Sequence, residues 1–82
     1  TLKDLRILVN YKPKNILLDN FSLSNIKKAT KIINKKITSI EVSGNISIKN
    51  ISKYSNLDID FISIGDLTKN IKSIDFSMLI EK

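Results

Sequence analysis

Three short apolar runs, each halted by a small or acidic residue, constrain this 82-residue chain more than anything else in it. They are Ile16 to Leu18 stopping at Asp19, Ile37 to Val42 stopping at Ser43-Gly44-Asn45, and Phe61 to Ile64 stopping at Gly65. The stops are evenly spaced, 24 residues from Asp19 to Ser43 and 22 from Ser43 to Gly65. That interval is too long for a hairpin and long enough for a helical crossover, so the runs predict parallel strands joined through helices. Between them, Ser22 can cap a helix whose stripe is Leu23, Ile26, Ala29, Thr30 and Ile33. Ser47 or Asn45 can cap another through Ile48, Ile51 and Tyr54, and a helical turn is expected around Leu67 to Ile71. Ahead of the first run, Thr1 and Asp4 resemble a capping box for an amphipathic helix carrying Leu2, Leu5, Leu8 and Val9, which must end before Pro13. The tail from Asp75 to Ile80 alternates and predicts a last extended segment.

Side chains alternate across a strand, so parity divides each run between two faces. One face reads Ile16, Leu18, Ile40, Val42, Ile62 and Ile64; the other reads Leu17, Asp19, Ser39, Glu41, Ser43, Phe61, Ser63 and Gly65. The first is wholly aliphatic, and the second turns polar toward the strand ends. A doubly wound sheet covers both faces with helices and favours apolar residues on both, whereas a barrel turns one face inward. The expected fold is therefore α/β, the last third of a (β/α) TIM-like barrel: three parallel strand-helix units with a leading helix and an extended tail. A complete barrel takes about 250 residues, so residues 1–82 are expected to be the C-terminal part of one barrel domain.

Composition removes many chemistries. The chain has no Cys and no His, hence no disulfide, no thiolate or imidazole metal site, and no nucleophile served by a histidine base within it. Any metal must be a hard cation held by oxygen. The net charge of +6 invites a nucleic-acid reading, but Lys supplies 13 of the 14 basic residues, scattered or on solvent faces. With 16 Ile and 9 Asn beside those lysines, the bias is that of AT-rich codons, and no nucleic-acid partner is expected. No apolar run approaches the ~18 residues of a membrane span. No export or lipid signal stands at Thr1, so a cytoplasmic piece of a longer protein is expected.

Chemistry is expected at the strand ends, where barrel enzymes carry their active sites and where the last two loops often hold phosphate. Gly44 and Gly65 are the only glycines and both follow strands. Each either lets a phosphate approach backbone N–H groups or supplies a positive φ to a tight turn. Asp19 either serves the site or caps the next helix, and Ser43 either contacts ligand or caps its own loop. Glu41 either pairs with a lysine or belongs to the site, because a carboxylate buried alone is costly. Tyr54 and Phe76 read as core aromatics.

The strings Leu17-Leu18-Asp19-Asn20-Phe21, Glu41-Val42-Ser43-Gly44-Asn45, Asp60-Phe61-Ile62-Ser63-Ile64-Gly65 and Leu67-Thr68-Lys69, in this order, resemble the C-terminal end of quinolinate phosphoribosyltransferase. That family is also called carboxylating nicotinate-nucleotide pyrophosphorylase. The resemblance implies a reaction of NAD biosynthesis in which quinolinate and phosphoribosyl pyrophosphate give nicotinate mononucleotide, pyrophosphate and carbon dioxide, assisted by Mg²⁺. Carried over by position, Asp19 resembles the carboxylate that contacts the ribose hydroxyls and the metal-pyrophosphate region. Ser43, Gly44, Asn45 and Gly65 match the loops around the 5′-phosphate, and Lys69 stands where family members carry a basic residue, often His. Asp66 departs from the small neutral residue common at its position. The resemblance further implies a homodimer or larger homo-oligomer, with the quinolinate-gripping residues upstream of Thr1. Rival readings are a related barrel of the molybdenum-transport-associated kind, a basic binding module and an inactive gene remnant.

Overall fold

The computed structural model describes residues 2–75. Helix α1 (Leu2–Leu8) runs on into a 3₁₀ turn, Val9–Tyr11, and stops ahead of Pro13, which has no N–H to continue it. Thr1, the expected cap, lies outside the described residues, as do residues 76–80 of the expected tail. Strand β1 (Asn15–Asp19) is followed by α2 (Leu23–Ile32), whose first turn is closed by Ser22 accepting the Asn25 N–H at 3.1 Å. The stripe expected for α2 is the one that turns inward: Ile26, Ala29 and Ile33 are buried while Lys27, Lys28 and Lys31 face solvent.

Strand β2 (Ser39–Ser43) begins two residues later than its apolar run. The reason lies in Asn34, whose carbonyl accepts from Ile37 and Thr38 N–H groups and whose side chain accepts from Lys36, winding those residues into a turn. Strand β3 (Phe61–Ile64) completes a parallel trio in the order β1-β2-β3, with Asp19 opposite Ser43 and Val42 opposite Ile62.

Two expectations fail after β2 and after β3. The helix foreseen through Ile48, Ile51 and Tyr54 is a turn followed by a 3₁₀ segment, Ile51–Tyr54. Asn50 accounts for this: its side chain accepts from Ser47 N at 2.8 Å and donates to the Asn45 carbonyl at 2.7 Å, competing with helical bonding. The helical turn foreseen around Leu67 to Ile71 is instead strand β4 (Leu67–Asn70), antiparallel to β3, with 3₁₀ geometry only at Ile71–Ser73. Gly65 and Asp66 form a two-residue hairpin loop, and Gly65 at φ +60 takes the first central position, where a type II′ turn requires that sign. The third strand-helix unit is thus a hairpin.

The described residues share one core. Ile16, Leu18, Ile40, Val42 and Ile62, the predicted aliphatic face, pack with Leu5, Ile26, Ala29 and Ile51 and other residues of the helical segments. Ile64 packs at the margin, half-buried. Each fully buried Ile or Leu contributes about 1.5–3 kcal/mol of transfer free energy. Among the described residues the opposite sheet face has no such cover, and Leu17 at its centre is 54% exposed.

The strand starts are tied together by Asp60. Its Oδ2 accepts from Ile40 N at 2.7 Å and from the Lys35 ammonium, while its carbonyl accepts from Ile71 N at 2.9 Å. Burial works to raise the Asp60 pKa, but the bonds from Lys35 and Ile40 and the charges of Lys35 and Lys72 outweigh it and hold the carboxyl below its usual value. A depressed carboxyl stabilises the fold above its ordinary pKa, and that contribution is lost as pH falls through the folded value. Asp60→Ala should therefore cost about 1–2 kcal/mol at pH 7, and the gap from wild type should narrow as pH drops below about 4. Urea titrations at pH 7 and pH 3 check both halves; a gap independent of pH would dismiss the ion pair.

Candidate functional site

The site builds from the C-terminal ends of β1 and β2. Parallel register sets Asp19 beside Ser43, and Ser43 Oγ donates to Asp19 Oδ1 at 2.9 Å. The chain then turns sharply on both strands. Asn20 adopts a left-handed φ of 59° and its N–H donates to the Ser43 carbonyl at 3.0 Å; Gly44 at +95° and Asn45 at +56° turn the other strand away. Asn is the side-chain-bearing residue that best tolerates this region, which is why two of these corners carry it.

Ser43 thus spends its proton on Asp19, leaving its oxygen lone pairs for a ligand. Asp19 is exposed, and its Oδ2 has no hydrogen-bond or ion-pair partner among the described residues. Among the described residues no group of three His, Cys, Asp or Glu could hold a metal ion; a lone carboxylate with a free oxygen, such as Asp19, can serve as one ligand to Mg²⁺, which keeps several waters and takes few protein ligands. Asp19 would hold that ion.

Gly44 has the positive φ expected of a tight turn and carries a steric constraint besides. A Cβ built on it would stand 2.3 Å from Asn20 Oδ1 and 2.8 Å from Asn20 N, so the space beside Gly44 is filled by Asn20. Gly65 has nothing within 4 Å of a built Cβ, and its freedom is used by the hairpin turn. Asn45 is braced by Asn50 through its carbonyl.

Lys69 stands apart from Asp19 and Ser43. It pairs with Ile62, and directly opposed residues of an antiparallel pair share a face, so Lys69 lies on the helix-covered side of the sheet. There it lines a hollow of about 340 Å³ with Ile48, Ile51, Ile64 and Ser73. Its neighbour Thr68 shares the other face with Ser63, their hydroxyls 3.1 Å apart. Asp66, at the hairpin tip, forms no ion pair with Lys69 among the described residues. Glu41 is half-buried on the uncovered face between Leu17 and Phe61, again with no ion pair among the described residues.

Sequence reasoning passed over Asn20 and Asn50. The signal for Asn20 was present: an Asn after a strand-ending Asp, ahead of a helix cap, is a common place for a left-handed corner. Nothing local marks Asn50, whose partners are set by the path of the loop.

Comparison with known proteins adds to this geometry. The family profile described as quinolinate phosphoribosyl transferase, C-terminal domain, matches residues 1–79. A Methanocaldococcus jannaschii protein named probable nicotinate-nucleotide pyrophosphorylase (carboxylating) is 41% identical over 94% of this chain and 29% of its own length. The chloroplastic nicotinate-nucleotide pyrophosphorylase (carboxylating) of Oryza sativa subsp. japonica is 30% identical over 99% of the chain and 26% of its own. A mitochondrial quinolinate phosphoribosyltransferase (decarboxylating) of Nicotiana tabacum is 27% identical over 99% of the chain and 27% of its own. The chain therefore spans less than a third of each of these relatives. No solved structure matches it. A profile covering nearly the whole chain places it: the chain belongs to the quinolinate phosphoribosyl transferase C-terminal domain family.

Proposed function

We propose that this chain is the ribose-phosphate half of the active site of a quinolinate phosphoribosyltransferase. Quinolinate and phosphoribosyl pyrophosphate are the substrates; nicotinate mononucleotide, pyrophosphate and carbon dioxide are the products. The observation that carries the reading is the Asp19–Ser43 pair set in register beside the Gly44-Asn45 corner, at the ends of adjacent parallel strands. Displacing pyrophosphate builds positive character on the ribose, and a fixed carboxylate beside the sugar stabilises it. Asp19, oriented by Ser43, accepts from the ribose hydroxyls. The corner after β2 offers backbone N–H groups to the 5′-phosphate, and Gly65 at the next strand end borders the same phosphate. Lys69 contributes positive charge from across β3 rather than a direct partner for Asp19. Mg²⁺, when bound at Asp19, supplies charge neutralisation for the departing pyrophosphate.

In this reading the sheet belongs to a (β/α) barrel whose remaining strands continue from β1, with antiparallel β4 standing on the edge of β3 where a closed parallel ring would continue, and the uncovered face lines its interior. The residues that grip quinolinate come from outside this chain, and the working form is a homo-oligomer of a cytoplasmic enzyme. No helix among the described residues is long and apolar enough to cross a membrane.

The test is a chimera in which this chain replaces the matched segment of the Methanocaldococcus relative. It should release pyrophosphate only when quinolinate, phosphoribosyl pyrophosphate and Mg²⁺ are all present. A chimera with a cooperative urea transition but no such release would sink the proposal.

A further inference from the structure

We infer that Asn20 is a positioning residue that holds the Ser43–Asn45 corner in its phosphate-receiving shape; the inference rests on the phosphoribosyl reading above. Gly44 and Asn45 are consecutive residues with positive φ, and glycine populates both signs of φ about equally, so nothing within the corner itself keeps it in one state. Two asparagines outside it do. Asn50 fixes the far side through the Asn45 carbonyl at 2.7 Å. Asn20 fixes the near side twice, by donating its N–H to the Ser43 carbonyl and by standing its carboxamide where a Gly44 side chain would go, 2.3 Å from the built Cβ.

The carboxamide has no hydrogen-bond partner among the described residues, so its contribution at this point is occupancy: it fills the room into which Gly44 would otherwise turn. A phosphate held by backbone N–H groups depends on their direction, and a corner that samples a second state presents them only part of the time. Affinity falls by the fraction of time the competent state is populated. Asn20 acts through the corner, without taking part in the bond-breaking step.

Asn20→Gly separates the two contributions, since glycine takes the left-handed backbone at no steric cost, keeps the N–H that bonds Ser43 and removes the carboxamide. In the chimera the variant should keep its urea midpoint. The KM for phosphoribosyl pyrophosphate should rise about tenfold, while kcat and the KM for quinolinate stay within about twofold. Amide exchange at Gly44 and Asn45 should quicken about tenfold or more. Asn20→Asp, of nearly the same shape, should return exchange to the wild-type rate. Unchanged exchange in Asn20→Gly overturns the inference, and so does a raised KM without faster exchange, which would make Asn20 a direct ligand contact. Should the folded chimera show no phosphoribosyl transfer at all, the functional reading fails while the exchange rates still decide whether Asn20 holds the corner.

Discussion

Asp19→Asn should lower the kcat of the chimera about 100-fold with little change in its urea midpoint. The asparagine oxygen can still accept from Ser43 Oγ, now 2.9 Å from Asp19 Oδ1, so the strand ends stay in register. In the proposed reaction the substitution would remove the full negative charge beside a ribose that gains positive character as pyrophosphate departs, together with the anionic oxygen that would face Mg²⁺. In a site closed around its substrate, as the proposed reaction requires, losing one strong electrostatic contact costs about 10²- to 10³-fold. The rival role predicts otherwise. Asn is about as good a cap as Asp, and a merely structural Asp19 would leave turnover and Mg²⁺ dependence close to wild type. Steady-state kinetics across a Mg²⁺ series distinguishes the two.

Gly44→Ala should be the most damaging single change to the fold of the site, costing about 3 kcal/mol in a urea titration. Two costs combine. A φ of +95° is one that side-chain-bearing residues rarely adopt, and the new Cβ would lie 2.3 Å from Asn20 Oδ1 and 2.8 Å from Asn20 N. Adding Asn20→Gly removes the first overlap but neither the contact with the backbone nitrogen nor the unfavourable φ. The double variant should therefore recover part of the loss and not all of it, a coupling expected of residues in contact. A Gly44→Ala variant within about 0.5 kcal/mol of wild type would mean that the corner is not built as described.

The residues show why some of this was legible beforehand and some was not. Parallel pairing and the buried face were readable because Ile16, Leu18, Ile40, Val42 and Ile62 obey a period of two, which no other element imitates. The α2 cap was readable because Ser22 and the stripe three residues on are local. The hairpin was misread because Leu67 to Ile71 lacks alternation, although Gly65-Asp66 between two β-formers is itself a hairpin signal. The Ile48 to Tyr54 helix failed through Asn50, whose bonds to Ser47 and Asn45 depend on a loop path that spacing does not reveal. At the site, parity put Asp19 and Ser43 on one face at strand ends, and the parallel register sets them side by side. Lys69 was separated from them because pairing with Ile62 rather than a helical turn decides its face.

The reversed strand β4 also fixes how this piece of sheet can be exchanged between relatives. With β3 already bonded to β4 along Phe61 to Ile64, the like-directed ladder among the described residues has its open side at Asn15–Asp19. In the barrel proposed above, a recombination junction placed ahead of α1 would therefore cut the strand seam at β1 and leave the antiparallel one whole inside the donated cassette. A junction between β3 and β4 would split a two-residue turn, and the recipient would have to supply a strand of matching direction and register to cover Ile62 and Ile64. Shuffled enzymes built from this family should be cut on the α1 side.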